Sequence, residues 1–561
     1  MTIKFAQEKE QRHIIQRLRV KEAEDIAQKI SESTRIPYLN ISFKPVDRSA
    51  LELVPEQKAK DAGLAVISHH GEMLTVIVQN PEDPLAKDII DELKAQFSVV
   101  SVFVTSEFGL QKAWNLYAQR LKKKISGQIE ISQENFDHFR QVVTTIPKLQ
   151  QGVAEIVSQP DVSVILELIL ASSVSLRASD VHIEPEEKDI RLRIRIDGVM
   201  HEIANFNQHI YRLLISRIKL LSSMKLNIHG NAQDGRFSIT LENTEIQVRT
   251  SVLPGEYGEN IVMRLLDPDS ILSIPELGLN PDLMSLVEHE LKRPNGMILV
   301  TGPTGSGKTT TLYAFLIHLA TETVKIVTVE DPIEYKIEGI SQTQVHPEKG
   351  YTFANGLRSI LRQDPDIILV GEIRDLETVD MALQAALTGH LVFSTMHTND
   401  SAGTIPRMID LGASSATIGP AVNMSMAQRL VRKVCPDCHI MRKITPEELS
   451  SLREDLAMPQ EALENLHYYK EITAKLTPEL EVAQVKGCEN CNNSGYFGQV
   501  AVYEIILIDE KLENFILENS PSIVNIREFA KSRGMTSLRQ DALLKVIEGI
   551  TTSEEVDRII D

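Results

Sequence analysis

The stretch Gly302-Pro303-Thr304-Gly305-Ser306-Gly307-Lys308-Thr309-Thr310 decides the fold. It fits the pattern G-x-x-x-x-G-K-[ST]. The apolar run Gly296-Met297-Ile298-Leu299-Val300 precedes it, and the helical pattern Thr311-Leu312-Tyr313-Ala314-Phe315-Leu316-Ile317 follows. Strand, glycine-rich loop and helix in that order are the context a phosphate-binding loop requires. Glycines let backbone N–H groups close around phosphate oxygens, and the helix N-terminus adds favourable partial charge. Lys308 is placed to bridge the outer phosphates of ATP, and the Thr309 hydroxyl to ligate Mg²⁺. A glycine-rich loop with a chance surface lysine would not match every fixed position in this context.

Outward from the loop, strand-like runs alternate with helical ones: Met297–Val300, Ile326–Val329, Asp366–Val370 and Leu391–Thr395. That is the α/β pattern of a parallel sheet with crossover helices, and it makes residues 291–430 the nucleotide core. Ligands of such sheets sit at the carboxyl ends of the strands. Acids stand there twice, in Glu330-Asp331-Pro332-Ile333-Glu334 and in Gly371-Glu372-Ile373-Arg374-Asp375. Phosphoryl transfer needs a metal to spread charge and a group to orient the attacking water. Glu372 is read as the Mg²⁺ acid, acting through water, and Glu330 as the water-activating base; the two roles are exchangeable at this level. One acid after a strand is often a cap or a loop charge, but two on consecutive strands behind a phosphate loop point to chemistry. His390 and His397 frame the fourth strand. His397 stands where an imidazole would contact the γ-phosphate and report hydrolysis. A structural role fits His390 equally well.

Cys435-Pro436-Asp437-Cys438 and Cys488-Glu489-Asn490-Cys491 use all four cysteines of the chain. Each C-x-x-C puts two sulfurs on one side of a tight loop, and two such loops complete a closed tetrahedral Zn²⁺ site. The alternatives are a redox pair or unliganded thiols. Residues 431–497 are thus a cysteine-bracketed insertion, and 498–561 read as helical and charged, with apolar positions at Leu543, Val546, Ile547 and Ile550. Before the core, residues 150–290 read as a mixed sheet with flanking helices. There Ile190-Arg191-Leu192-Arg193-Ile194-Arg195-Ile196 alternates strictly, one face apolar and one basic. Residues 1–145 read as a small α+β domain: Ile14, Leu18, Ile26 and Ile30 on an amphipathic helix, Leu74–Val78 a strand, Asn80-Pro81 a turn. Arg120-Leu121-Lys122-Lys123-Lys124 marks a linker with a solvated lysine face.

The chain has 561 residues and a net charge of −19, from 59 basic and 78 acidic residues. This size suggests about three or four domains. The charge argues against nucleic acid as a broad surface partner. The N-terminus lacks an apolar signal core, and the apolar stretch Val162–Leu176 is interrupted by Glu167 and serines, too short and polar to span a bilayer. The expected location is cytoplasmic, with any membrane role exerted through a partner.

Taken together, the motifs resemble the type II secretion and type IV pilus assembly ATPase family. Four blocks carry the likeness: Ala178-Ser179-Asp180-Val181-His182-Ile183-Glu184-Pro185 with Arg195-Ile196-Asp197-Gly198; Gly302–Thr310; Val329–Glu334, similar to an aspartate box; and Leu361–Asp375 followed by the histidine box ending at His397. The resemblance implies a RecA-like P-loop NTPase core and a preceding mixed α+β, PAS-like domain. It also implies an N-terminal α+β partner-binding domain and a zinc-binding C-terminal insertion. It implies a homohexameric ring of motors that binds ATP between the second and third regions. That ring would drive an inner-membrane platform protein, with associated cytoplasmic assembly proteins, to add pilin-like subunits to a filament. Arginine fingers map by motif onto Arg249 and Arg264. Retraction-type relatives lack the large N-terminal region and the four cysteines, so the resemblance favours assembly, for a pilus or a secretion pseudopilus. Some members bind cyclic-di-GMP through repeated Arg-Leu-Gly openings; Arg17-Leu18-Arg19 lacks the glycine, which argues against that ligand, and Gln499 stands where a basic residue is expected. Two competing readings are a nucleotide-gated scaffold with little turnover and a nucleic-acid translocase of the same core fold.

Overall fold

The computed structural model describes residues 22–41, 46, 48–51, 53–70, 73–118, 128–130, 143, 145–157, 162–241, 244–267, 271–519 and 521–560. Two compact units divide the chain between residues 125 and 126. In the first, strand Leu64–His70 pairs antiparallel with Met73–Val78, which pairs parallel with Val99–Val104. A parallel pair needs a crossover, and helix Pro84–Gln96 supplies it. Its start is set by Pro84 in the first turn and by the Asp83 side chain, which accepts from the Leu85 N–H. Ala86, Ile90 and Leu93 on this helix close over Leu64, Val66, Leu74, Val76 and Val78. The turn at Asn80-Pro81 falls where the sequence has it, with the Asp83 N–H donating to the Asn80 carbonyl at 3.2 Å. Of the expected helical stripe, Ile30 is half-buried as expected, but Ile26 is 58% exposed and Ala27 is buried instead. A small residue carries no weight in an apolar pattern, so the true buried face was invisible. Ile14, Leu18 and the Arg120–Lys124 stretch lie outside the described residues.

The second unit opens with a seven-stranded sheet, in the order Gln128–Glu130, Gln233–Leu241, Thr244–Pro254, Glu259–Leu266, Asp180–Pro185, Ile190–Ile196, Val199–Phe206. All pairings are antiparallel except the first. Strand Gln128–Glu130 belongs to this sheet although the sequence reading left it in the first region; three residues are too few to show a period. The alternation in Ile190–Ile196 is realised as expected, with Ile190, Leu192 and Ile194 buried and the arginines on the other face. Helix Val162–Ser175 is apolar around most of its girth because it is buried on nearly every side.

The core follows as a second seven-stranded sheet, in the order Ser341–Gln344, Ile326–Glu330, Ile367–Val370, Leu391–Met396, Gly296–Thr301, Val422–Val434, Tyr496–Leu507. The first six run parallel and the last antiparallel. The four strands expected from sequence are therefore neighbours with a common direction, and their carboxyl ends share one edge. Gly296–Thr301 and Ile367–Val370 are buried at every residue, as strands covered on both faces must be. The insertion leaves from Val434 and returns at Tyr496, carrying the strand pair Ile440–Lys443 and Glu481–Gln484. Residues 498–507, expected to be helical, are the last strand of this sheet, because they pair with Val422–Val434. After them come four helices, Glu510–Asn519, Ile523–Ser532, Leu538–Ile547 and Ser553–Ile560, which bury Leu543, Val546 and Ile547 as expected and leave Ile550 half-buried.

Candidate functional site: a phosphate-loop cleft and a cysteine knuckle

Gly302–Gly307 connects strand Gly296–Thr301 to helix Lys308–Leu319. Gly302 and Gly307 sit at φ 147° and 86°, and a Cβ on either would lie 2.6–2.7 Å from Gln428 atoms. Only glycine gives a loop this curvature against the neighbouring strand. The result is a backbone cradle whose open face is lined by Thr304, Gly305, Gly307, Lys308 and Thr309. These features fit a bound phosphate chain. The Lys308 ammonium donates to the Gly302 and Pro303 carbonyls at 2.9 Å each. Burial holds its pKa below the usual lysine range, opposed by the charge of Glu372.

One cavity of about 360 Å³ gathers Lys308, Thr309, Glu334, Glu372, His397 and Arg264. Glu372, just past strand Ile367–Val370, pairs with Arg374 at 2.6 Å and lies 3.5 Å from His397 Nε2. Thr309 and Glu372 both line this cavity. His397 is half exposed to the cleft. His390 lies away from it, its Nδ1 2.9 Å from the Ala385 carbonyl, in a structural contact.

Glu330 departs from expectation. It ends strand Ile326–Glu330 and is 4% exposed. One carboxylate oxygen accepts from the Thr328 hydroxyl at 2.5 Å and the Gln342 amide at 3.3 Å, and the other from the Tyr313 hydroxyl. Burial raises its pKa against these bonds. Glu330 borders the same cavity, but both its carboxylate oxygens are already taken by these three donors. Glu334, four residues on, also reaches the cleft, with a quarter of its side chain exposed and one oxygen 3.0 Å from Arg249. Sequence reasoning passed over it because it stands beyond the strand end; its repeat of an acid within Glu330–Glu334 was the available signal.

The two finger candidates come from the preceding sheet. Arg249 also donates to the Ile333 carbonyl at 2.7 Å, so it grips the segment that carries Glu334. Arg264 pairs with Asp180 at 2.9 Å and stays half exposed at the cavity wall.

The four cysteine sulfurs all lie within 4.8 Å of one another. Cys435–Cys488, Cys438–Cys491 and Cys488–Cys491 are 3.8, 3.7 and 3.7 Å apart. A tetrahedral ion with the usual Zn–S distance of about 2.3 Å spaces its sulfurs by about 3.8 Å, so the knuckle fits zinc and not disulfides. The N–H groups of Cys488 and Gly495 donate to Cys491 Sγ at 3.2 Å each, as thiolate ligands favour. The knuckle also touches the preceding sheet and its first helix. The Ile146 N–H donates to Asn492 Oδ1 at 2.7 Å, and the Gly498 N–H to Asp197 Oδ2 at 2.8 Å.

Residues 156–558 match the family model described as Type II/IV secretion system protein, and residues 34–123 match an MshEN domain. The Type IV pilus assembly ATPase PilB of Myxococcus xanthus is 35% identical over 538 residues, 94% of this chain and 89% of that protein. Type II secretion system protein E of Aeromonas hydrophila is 42% identical over 396 residues, 70% of this chain and 75% of that protein. Among solved structures, the Legionella pneumophila ATPase DotB shares the fold, with a TM-score of 0.51 at 21% identity over 70% of this chain and 95% of that one.

Proposed function

The chain belongs to the Type II/IV secretion system protein family, and from that premise we propose that it is an ATPase motor that assembles pilin-like subunits into a filament. The observation that carries this is the cleft, where a glycine cradle, Lys308, the acids Glu330, Asp331, Glu334 and Glu372, and His397 meet at the ends of parallel strands. Thr309 and Glu372 would hold Mg²⁺, which would spread the phosphate charge. Lys308 clamps the outer phosphates. Glu334, rather than Glu330, orients the attacking water and takes its proton on a carboxylate oxygen. Arg249 and Arg264 bring cationic groups from the preceding sheet to the developing charge.

We assign the domains as 1–125, 126–290, a core of 291–434 with 496–507, an insertion of 435–495 and a helical tail of 508–561, which moves the sequence-based bounds to keep Gln128–Glu130 and Tyr496–Leu507 with their sheets. Relatives named PilB align over 94–95% of this chain and protein E of Aeromonas hydrophila over 70%. That coverage supports pilus extension over a secretion pseudopilus. The working unit is a hexameric ring at the cytoplasmic face of the inner membrane, coupled to a platform protein. No described helix is long and apolar enough to cross a membrane. Turnover per chain measured beside mass photometry over a dilution series tests the ring: activity should fall as hexamers dissociate. Full activity in a monomeric sample would refute it.

A further inference from the structure

Tyr313 and Glu330 take no direct part in the chemistry above, yet they are tied to it at both ends. Tyr313 lies on the phosphate-loop helix and is fully buried. It follows Lys308 by five positions, about 7.5 Å along the axis at 1.5 Å per residue. Phenylalanine would fill the same volume, so packing does not account for the hydroxyl. That hydroxyl donates to Glu330 and accepts from the Glu334 N–H at 3.4 Å. On the other oxygen of Glu330 sits Gln342 Nε2, which also donates to the Tyr335 carbonyl at 2.9 Å. Gln342 Oε1 accepts from the Ile337 N–H at 2.8 Å. The segment carrying Glu334 is therefore pinned at residues 334, 335 and 337 by one buried network, and the network is rooted in the helix that begins at Lys308.

We propose that Tyr313, Glu330 and Gln342 form a positioning relay that sets the Glu334 carboxylate relative to the phosphate loop. This rests on Glu334 being the water-orienting acid. A buried carboxylate that holds three donors makes a stiff node, because a donor that moved away would lose its buried partner. Displacement of the phosphate-loop helix is thereby passed to the Glu334 segment through the Tyr313 hydroxyl directly and through Glu330 and Gln342 to Tyr335, rather than through solvent.

The test is a double-mutant cycle on steady-state ATP hydrolysis by the full chain. Tyr313→Phe should lower kcat by about ten- to a hundredfold, the cost of a misplaced group, with KM for ATP within about twofold. Glu334→Gln should be slower still. Tyr313→Phe combined with Glu334→Gln should be no slower than Glu334→Gln alone, since the relay then has nothing to place. Wild-type kcat in Tyr313→Phe, or losses that multiply in the double variant, overturns the relay. Near-wild-type turnover by Glu334→Gln instead removes the premise, whatever Tyr313→Phe does. Should Tyr313→Phe fail to fold, Gln342→Ala carries the same cycle from the other side of Glu330.

Discussion

The phosphate-loop cleft and the cysteine knuckle both present a set of groups to a charged ligand, and they assemble it in opposite ways. All four sulfurs of the knuckle come from two turns of four residues each, brought to zinc spacing by the single strand pairing of Val434 with Tyr496. The cleft draws Lys308, Glu334, Glu372 and His397 from the ends of different parallel strands and Arg264 from another sheet. A closed site of local origin makes a permanent structural bond. An open site drawn from many elements changes its geometry when those elements move, which is what a motor needs.

The sharpest way to break this contrast is at Lys308. Lys308→Ala should cut ATP hydrolysis at least about a thousandfold while leaving metal content untouched; a phosphate-release assay on folded protein decides it. Next come the two acids. Glu334→Gln should lose about a hundred- to ten-thousandfold in kcat and keep its melting temperature. Glu330→Gln should lose about 1–3 kcal/mol of stability, because an amide N–H then faces donors from Thr328, Tyr313 or Gln342, and should lower kcat by less than Glu334→Gln does, as a member of the relay. Equal melting temperatures with only Glu330→Gln inactive would return the base to Glu330.

On the knuckle side, freshly reduced protein should carry about one zinc per chain. Cys435→Ser should abolish that and loosen residues 431–497 first in hydrogen exchange, with ATP binding retained. The smallest effect is on pH. Arg442 beside Glu448 holds that carboxyl near a pKa of about 2 instead of 4.5. Its folded pKa is depressed, so its contribution is complete above about pH 4.5 and is lost as pH falls toward 2. Thermal melts between pH 5 and 3 should show a shallower acid slope in Glu448→Gln than in the parent chain.

What could be read without a structure follows the same division. Gly302–Thr310 and the paired cysteines are local signals, and both stand where spacing put them. The parallel strands were legible too, because burial on both faces leaves an unbroken apolar run. The choice between Glu330 and Glu334 was not, since it turns on which carboxylate Tyr313 and Gln342 cover, and neither residue is near in sequence to the strand end it seals. Tyr313 itself read as one more apolar position of a helix. Ile26 misled for the opposite reason, a large side chain advertising a face that Ala27 fills.

The contacts of Asn492 with the Ile146 N–H and of Gly498 with Asp197 span 346 and 301 residues of sequence. Two such hydrogen bonds are together worth about 1–3 kcal/mol, enough to bias an angle and too little to lock it. If the sheet that carries Arg249 and Arg264 swings during turnover, these bonds act as a detent: they define where the stroke starts and where it returns. Asn492→Ala should then widen the distribution of angles seen by small-angle scattering, and an unchanged profile would sink the idea. A metal that never meets the nucleotide would thereby set the zero of the machine.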